Sequence, residues 1–138
     1  MTRREIRECA FIIAFEKSLR DDPLEDLYEL AEEVEGLKAN DKVKELVDGV
    51  FSHIEEIDGI ISNYSKKRAL PRIPKITLSV LRIAVYEIIY DDMTPVNAAI
   101  NEAVLLSQAY SYKEDTSFVN GVLSSFSKNI SGKENVLA

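Results

Sequence analysis

Three arginines near the amino terminus have the clearest capacity for binding chemistry. Arg3, Arg4 and Arg7 lie on consecutive turns of a predicted helix, so their guanidinium groups can present paired N–H donors to phosphate oxygens. Aromatic side chains elsewhere in the chain can stack on unpaired bases, as proteins that read single-stranded RNA do. The pattern predicts an RNA-binding end. A solvated helix end is the alternative that the spacing leaves open, because Glu5 and Glu8 alternate with the arginines.

The chain has few of the residue types that catalysis or metal binding needs. The chain has one histidine, His53, and one cysteine, Cys9, whereas a metal site or an activated nucleophile needs several such groups together. Cys9 is typical of a small core residue and His53 of a helix surface or boundary. No glycine-rich phosphate-binding motif occurs in the sequence. We therefore predict a protein that is not an enzyme and uses neither a metal nor a cofactor.

Length and composition set the fold class. A chain of 138 residues with 46% hydrophobic residues is long enough for one domain with a real core. Few glycines and prolines, and many helix-forming residues, predict an all-α protein. The net charge of −7 argues against nucleic-acid contact over the whole surface but allows a local basic patch. A single cysteine and the absence of a long apolar stretch favour the cytoplasm and exclude a membrane span.

The first half of the chain predicts three helices. Apolar residues recur at helical spacing over residues 3–20, 23–35 and 41–64. Gly49 and Gly59 lie inside the third helix, where glycine costs about 1 kcal/mol relative to alanine. We therefore expect close helix packing at both glycines.

A basic stretch with two prolines divides the chain. Residues 65–75 contain five basic residues and no acid, and the prolines prevent a continuous helix. Beyond them, the sequence predicts a buried central helix over 76–90, a helix over 95–110 and a last helix that ends by Gly132. The predicted organisation is one domain, 1–138, with an amino-terminal subdomain (1–64), a connector (65–75), a carboxy-terminal subdomain (76–132) and a flexible tail (133–138).

Charge is distributed unevenly along this organisation. Residues 21–63 hold fourteen acids and three bases, whereas residues 64–82 hold six bases and no acid. If this second basic group meets the amino-terminal arginines in space, the two form an electropositive strip on an acidic protein.

Several segments together resemble the NusB family of bacterial transcription antitermination factors, in the right order and over nearly the whole chain. The segments are RREIRECA (3–10), Gly49-Val50, Asp58-Gly59, LRIAVYE (81–87), Pro95, AINEAV (99–104) and FVNGVL (118–123). The resemblance implies an all-helical fold of two packed three-helix subdomains. It also implies binding without catalysis. Members bind the single-stranded boxA element of ribosomal RNA leader transcripts together with NusE, a small-subunit ribosomal protein, and act indirectly on the RNA polymerase elongation complex.

The resemblance also assigns site residues. The expected RNA contacts are Arg3, Arg4 and Arg7 on phosphates, Phe15, Tyr64, Tyr110 and Phe118 along the RNA path, and Asn120 on a base edge or on its own backbone. The expected partner contacts are Thr77, Leu78 and Arg82, although Thr77-Leu78 replaces an acidic–basic pair common in the family. Glu5 replaces a third basic residue of the first helix and removes one phosphate contact. We hypothesise that four bases of the connector compensate: Lys66, Lys67, Arg68 and Arg72.

Two other functions compete with RNA-dependent antitermination. The first is a helical protein-interaction module or a homodimer, whose interface would hide the arginines. The second is an RNA-binding accessory in ribosomal RNA maturation, since the same helical domain is found fused to ribosomal RNA methyltransferases that use S-adenosylmethionine. A chain ending at Ala138 leaves no room for such a catalytic domain, so we expect no methyltransferase activity.

Overall fold

The fold is known from a computed structural model, which describes the backbone of residues 1–34 and 36–137 and the side chains of residues 1–34 and 36–130. Seven α-helices and no strand occur in that part of the chain, which confirms the all-α prediction. The elements are α1 (Arg3–Leu19), α2 (Leu24–Val34), α3 (Asp41–Ser52), α4 (Ile54–Tyr64), a 3₁₀ turn (Leu70–Arg72), α5 (Lys75–Tyr90), α6 (Val96–Tyr110) and α7 (Lys113–Leu137).

Thr2 and Glu5 determine where α1 begins. The Thr2 hydroxyl accepts a hydrogen bond from the Glu5 backbone N–H (3.1 Å), and the Glu5 carboxylate accepts one from the Thr2 backbone N–H (3.0 Å). This capping box satisfies two N–H groups that a helix start otherwise leaves unpaired. The hydrogen bond from the Thr2 backbone N–H, followed by the interaction of the Thr2 side chain with the carboxylate, holds the pKa of Glu5 below its usual value. Glu5 therefore stabilises the start of the helix that holds the arginines.

α5 is the central helix of the fold, as its apolar sequence predicted. It packs against α1, α3, α4, α6 and α7, so it buries side chains in nearly every direction. α1 runs antiparallel to α5. One end of this pairing is an ion pair between Arg7 and Glu87, and the other is a hydrogen bond from Lys75 Nζ to the Ser18 carbonyl oxygen (3.1 Å).

The predicted third helix is in fact two helices. His53, with φ −116° and ψ 24°, ends α3 and precedes α4. Its Nδ1 lies 3.0 Å from the Gly49 carbonyl oxygen, and its ring lies 4.3 Å from the Tyr90 ring, centroid to centroid. The prediction of one helix was wrong because apolar spacing continues through the break, while the contacts at His53 come from the helix turn before it and from α5.

The last helix extends further than predicted. α7 continues through Gly132 to Leu137, whereas the sequence predicted an end by Gly132. The flexible tail over 133–138 stays a prediction, because Ala138 and the side chains of this segment lie outside the described residues.

One cluster of buried side chains joins both halves of the chain. It extends from α1 and α3 through α5 to α6 and α7, and α5 contacts helices of both predicted subdomains. The division into subdomains 1–64 and 76–132 therefore stays a prediction, since the two share a continuous core.

The two helical glycines have different surroundings. A Cβ added to Gly49 would overlap the Tyr86 ring, with Cε2 at 2.7 Å and the Tyr86 hydroxyl closer still. A Cβ added to Gly59 would meet nothing within 4 Å. The expectation of close packing is confirmed for Gly49 and is wrong for Gly59, which faces open space.

This contrast predicts opposite effects of alanine at the two sites. Gly59→Ala should stabilise the protein by up to about 1 kcal/mol, because it removes glycine's helix penalty without a clash. Gly49→Ala should lose that gain, because displacing the Tyr86 ring costs about 1–3 kcal/mol. Urea unfolding of both variants measures the difference. Equal stabilisation by the two substitutions would contradict the contact between Gly49 and Tyr86.

Candidate nucleic-acid interface

Arg7 is buried between α1 and α5. Its side chain is 7% exposed and that of Glu87 is 5% exposed. Arg7 Nε and Nη2 donate to the two Glu87 carboxylate oxygens at 2.8 and 2.7 Å, which is a bidentate pair. Burial pulls the pKa of Arg7 down, but the hydrogen bonds and charge of Glu87 raise it above its usual value. Arg7 was predicted to contact a phosphate, but this geometry commits its guanidinium to the interior.

Arg3 is exposed and binds the connection between α5 and α6. Its guanidinium donates to Asp91 Oδ2 (3.0 Å), to the Met93 carbonyl oxygen (3.2 Å) and to the Thr94 hydroxyl. Desolvation raises the pKa of Asp91, but hydrogen bonds from Thr94 and Met93 and the charge of Arg3 lower it below its usual value. The carboxylate of Asp91 therefore holds this connection against the start of α1.

Arg4 is the most exposed of the three arginines, with 68% of its side chain in solvent. Its Nη2 and Nε donate to the Glu102 carboxylate on α6 at 3.0 and 3.2 Å. This hydrogen bonding, with the charge of Glu102, raises the pKa of Arg4. Glu102 also lies 3.9 Å from Arg7 Nη1, so one carboxylate serves two arginines.

We call these arginines and their acidic neighbours the arginine end: Arg3, Arg4, Arg7, Glu5, Glu8, Glu87, Asp91 and Glu102. Five positive groups share this end with five carboxylates: the three guanidiniums, and the amino terminus and Lys38, whose charges act on Glu5. The arginine end therefore has no positive excess. A phosphate bound there would share an arginine with a carboxylate or replace that carboxylate.

Tyr110 borders the arginine end through Glu8. Its hydroxyl donates to the Glu8 carboxylate at 2.5 Å, and its ring lies 4.9 Å from the Phe11 ring, centroid to centroid. The hydrogen bond to Glu8, with partial burial, raises the pKa of Tyr110 to about 12. The residue is 39% exposed, so solvent reaches part of it.

A second basic region is a groove of about 850 Å³ between α4, the connector and α7. We call it the basic groove, and its basic and aromatic lining consists of Tyr64, Lys66, Lys67, Arg68, Phe118 and Lys128. The structure thus brings together two predicted aromatics, Tyr64 and Phe118, with the connector bases. Phe15, half-buried on α1, and Asn120, exposed on α7, do not line it.

Two lining residues of the basic groove already have partners. The Arg68 guanidinium lies 4.5 Å from the Phe118 ring centroid and donates to Asp115 Oδ1 at 2.7 Å. Tyr64 packs against Phe126, with ring centroids 5.6 Å apart, and accepts a hydrogen bond from Asn129. Because Arg68 covers one face of Phe118, a base can stack on the guanidinium plane as readily as on the ring.

The two basic regions do not meet. The arginine end lies where α5 ends, whereas the connector leads into the start of α5. α1 extends between them from Arg3 to Ser18, about 22 Å at 1.5 Å per residue. The condition for a single electropositive strip is therefore not met, and the basic residues form two separate regions.

The predicted partner-binding residues have little exposed surface. Thr77 is fully buried and Leu78 is 8% exposed. Arg82 donates to both Asp58 carboxylate oxygens at 2.9 and 2.8 Å. This corrects the expectation for Thr77 and Leu78, which pack inside the fold because α5 is covered on nearly every side. The role of Arg82 in partner binding stays a prediction.

The sequence analysis missed the carboxylates that pair with the arginines. Glu87 carried a signal, because it is a charge within the almost wholly apolar α5, and a buried charge needs a partner. Glu102 and Asp91 carried none, since each has a polar neighbour in the sequence, Asn101 and Asp92, and is equally compatible with solvent.

The described residues contain neither a metal cluster nor a membrane-spanning helix. No group of three or more His, Cys, Asp or Glu side chains there is arranged to hold a metal ion. No helix there has both the length and the apolar character to cross a bilayer. Cys9 is buried in the core, and His53 lies at a helix boundary, as predicted.

A family model, relatives of similar sequence and a solved structure all match this chain to NusB proteins. A family model described as "NusB family" matches residues 4–128. The transcription antitermination protein NusB of Acetivibrio thermocellus is 41% identical over 125 residues, covering 89% of this chain and 86% of that protein. That of Finegoldia magna is 38% identical over 137 residues, covering 98% of each. A chain in the crystal structure of antitermination factors NusB and NusE in complex with dsRNA is 30% identical, with a TM-score of 0.81, covering 92% of this chain and 96% of that one.

The buried and exposed arginines should differ in what they contribute to stability. Arg7→Ala leaves the Glu87 charge buried without its main partner, which should lower the free energy of unfolding by about 3–5 kcal/mol. Arg4→Ala removes an exposed pair and should change stability far less. Thermal and urea unfolding of both variants compares them. Similar losses of stability in the two variants would show that Arg7 does not form a buried ion pair with Glu87.

Proposed function

This chain belongs to the NusB family, and we propose on that basis that it is a transcription antitermination factor that binds RNA together with NusE. It acts by binding, without a chemical step, and affects RNA polymerase through the complex it forms. Because bacterial transcription takes place in the cytoplasm, the proposed function also assigns the protein to that compartment. The RNA that we propose is the single-stranded boxA element of ribosomal RNA leader transcripts.

The observation that carries the RNA-binding proposal is the basic groove. Lys66 and Lys67 are exposed, so their ammonium groups can reach phosphates along a backbone. Tyr64 and the Arg68–Phe118 pair supply stacking surfaces beside them. Positive charge next to flat surfaces matches a single strand, whose bases are unpaired and free to stack.

The arginine end supplies the second contact. Arg3 and Arg4 are exposed, and their acidic partners leave part of each guanidinium in contact with solvent. Arg7 has a different role in this proposal. It positions α1 against α5, so that Arg3 and Arg4 face solvent at a set place. A strand that contacted both regions would pass along α1, near Tyr110 and Phe15.

Removing both exposed arginines should weaken RNA binding. Arg3→Ala with Arg4→Ala should lower the affinity for a labelled boxA-like RNA and flatten its salt dependence by about 0.7 in the logarithmic slope for each phosphate that the variant no longer neutralises. Fluorescence anisotropy with and without NusE, at two salt concentrations, measures both effects. Arg20→Ala is the control, because Arg20 is an exposed arginine paired with Asp22 at the other end of α1.

The same titrations show which form of RNA the protein binds, and one outcome would reject the proposal. Single-stranded and double-stranded versions of the RNA are compared, since the solved NusB–NusE complex holds dsRNA. An absence of binding by the wild-type protein to either RNA with NusE present would reject the function. The mass of the protein in solution would then test the homodimer alternative.

Neutralising exposed bases of the connector should weaken RNA binding independently of Arg3 and Arg4. Lys66→Gln, Lys67→Gln and Arg72→Gln together should lower RNA affinity and flatten its salt dependence, because they remove two charges that line the groove and a third from the same connector. Arg68 is kept, since it also holds Phe118 and Asp115. Lys44→Gln is the control, because Lys44 lies on α3 with its Nζ 5.6 Å from the Tyr28 ring centroid and lines neither RNA contact. An unchanged slope in the triple variant would reject the groove as an RNA contact.

A further inference from the structure

We propose that Glu102 competes with RNA phosphate for Arg4 and thereby limits the affinity of the arginine end. The inference rests on the proposed RNA binding and adds a residue that determines its strength. Glu102 is a positioning residue in this view: it holds the Arg4 guanidinium in the free protein and releases it when a phosphate arrives.

The geometry of the Arg4 pair is the first step of the argument. Arg4 uses Nε and Nη2 for Glu102, at 3.2 and 3.0 Å. These two donors form one edge of the guanidinium fork, and bidentate recognition of a carboxylate or a phosphate uses two parallel N–H bonds of this kind. A phosphate that binds Arg4 through this edge must therefore replace the Glu102 carboxylate.

Exposure is the second step. The Arg4 side chain is 68% exposed and that of Glu102 is 19% exposed, so solvent and ligand reach the pair from the Arg4 side. Exposed ion pairs contribute little to stability. The buried Arg7–Glu87 pair is different, because its partners are removed from solvent. Of these two bidentate pairs, only Arg4–Glu102 can be exchanged without opening the interior.

The third step is what happens to Glu102 after the exchange. Glu102 lies 3.9 Å from Arg7 Nη1, and Arg7 stays in place because Glu87 holds it. A Glu102 carboxylate that releases Arg4 therefore keeps a positive neighbour. This second interaction reduces the cost of releasing Arg4, so the exchange is feasible at modest RNA affinity.

The two acidic residues that neighbour Arg4 along α1 have other partners. Glu5 accepts from the Thr2 backbone N–H and Glu8 accepts from the Tyr110 hydroxyl. Glu102 is the carboxylate that directly contacts Arg4 among the described residues. Its removal should therefore free Arg4, while Arg7 keeps its buried pair with Glu87.

Glu102→Gln tests the competition. The amide keeps the size of the side chain and loses its charge, so RNA should bind about two- to fivefold more tightly, the range expected for loss of an exposed ion pair. The salt dependence of binding should become steeper, because Arg4 then engages a phosphate fully. Anisotropy with the same labelled RNA and NusE measures both. Glu29→Gln is the charge-matched control, since α2 packs against α1 and makes no comparable contact with α6.

A double-substitution cycle separates competition from simple repulsion. If Glu102 competes for Arg4, Glu102→Gln tightens binding more in the wild-type background than in the Arg4→Ala background. If Glu102 only repels RNA, the tightening is equal in both backgrounds. Nuclear magnetic resonance gives a direct readout: the carboxyl carbon of Glu102 and the Nε–H of Arg4 should shift as RNA is added to the wild-type protein.

Each outcome has a defined meaning. Tightening that depends on Arg4, with RNA-induced shifts at Glu102, supports the proposal. Unchanged or weaker binding by Glu102→Gln, or equal tightening in both backgrounds, overturns it while the RNA-binding function stands. A wild-type protein that binds no RNA with NusE present overturns the function itself, and the competition with it.

Discussion

The buried ion pair between Arg7 and Glu87 is the contact on which the arrangement of the arginine end depends. It joins α1 to the central helix α5 with two short hydrogen bonds, and both side chains are almost wholly removed from water. Such a pair is costly to break on one side, because the remaining charge would stay buried. It therefore sets the position of α1 along α5 and, with it, where Arg3 and Arg4 emerge into solvent.

Burial gives three neighbouring arginines two different roles. Arg7 faces the interior, whereas Arg3 and Arg4 lie on the outside of the same helix turns, each paired with a carboxylate of α6 or of the connection before it. Exposed pairs are weak and exchangeable in water. Because the arginine end has no positive excess, the proposed RNA contact there depends on exchange of ion-pair partners rather than on long-range attraction.

The basic groove and the arginine end form a separated pair of regions on an acidic protein. Their separation follows from the antiparallel packing of α1 on α5, which sends the connector and the amino terminus to opposite ends of the same helix pair. A ligand that uses both must be extended. The single-stranded RNA that we propose for this chain meets that requirement.

The sequence by itself determined the helical class, the central helix α5, the family and the chemistry of the bases, because helix periodicity and residue type are local properties. It did not reveal the break at His53, the burial of Thr77 or the partners of the arginines. Those depend on which helix packs on which side of α1 and α5. Only the tertiary structure decided that Arg7 is internal and Arg4 external, because the burial of a side chain is set by neighbours far away in the chain, which no local pattern encodes.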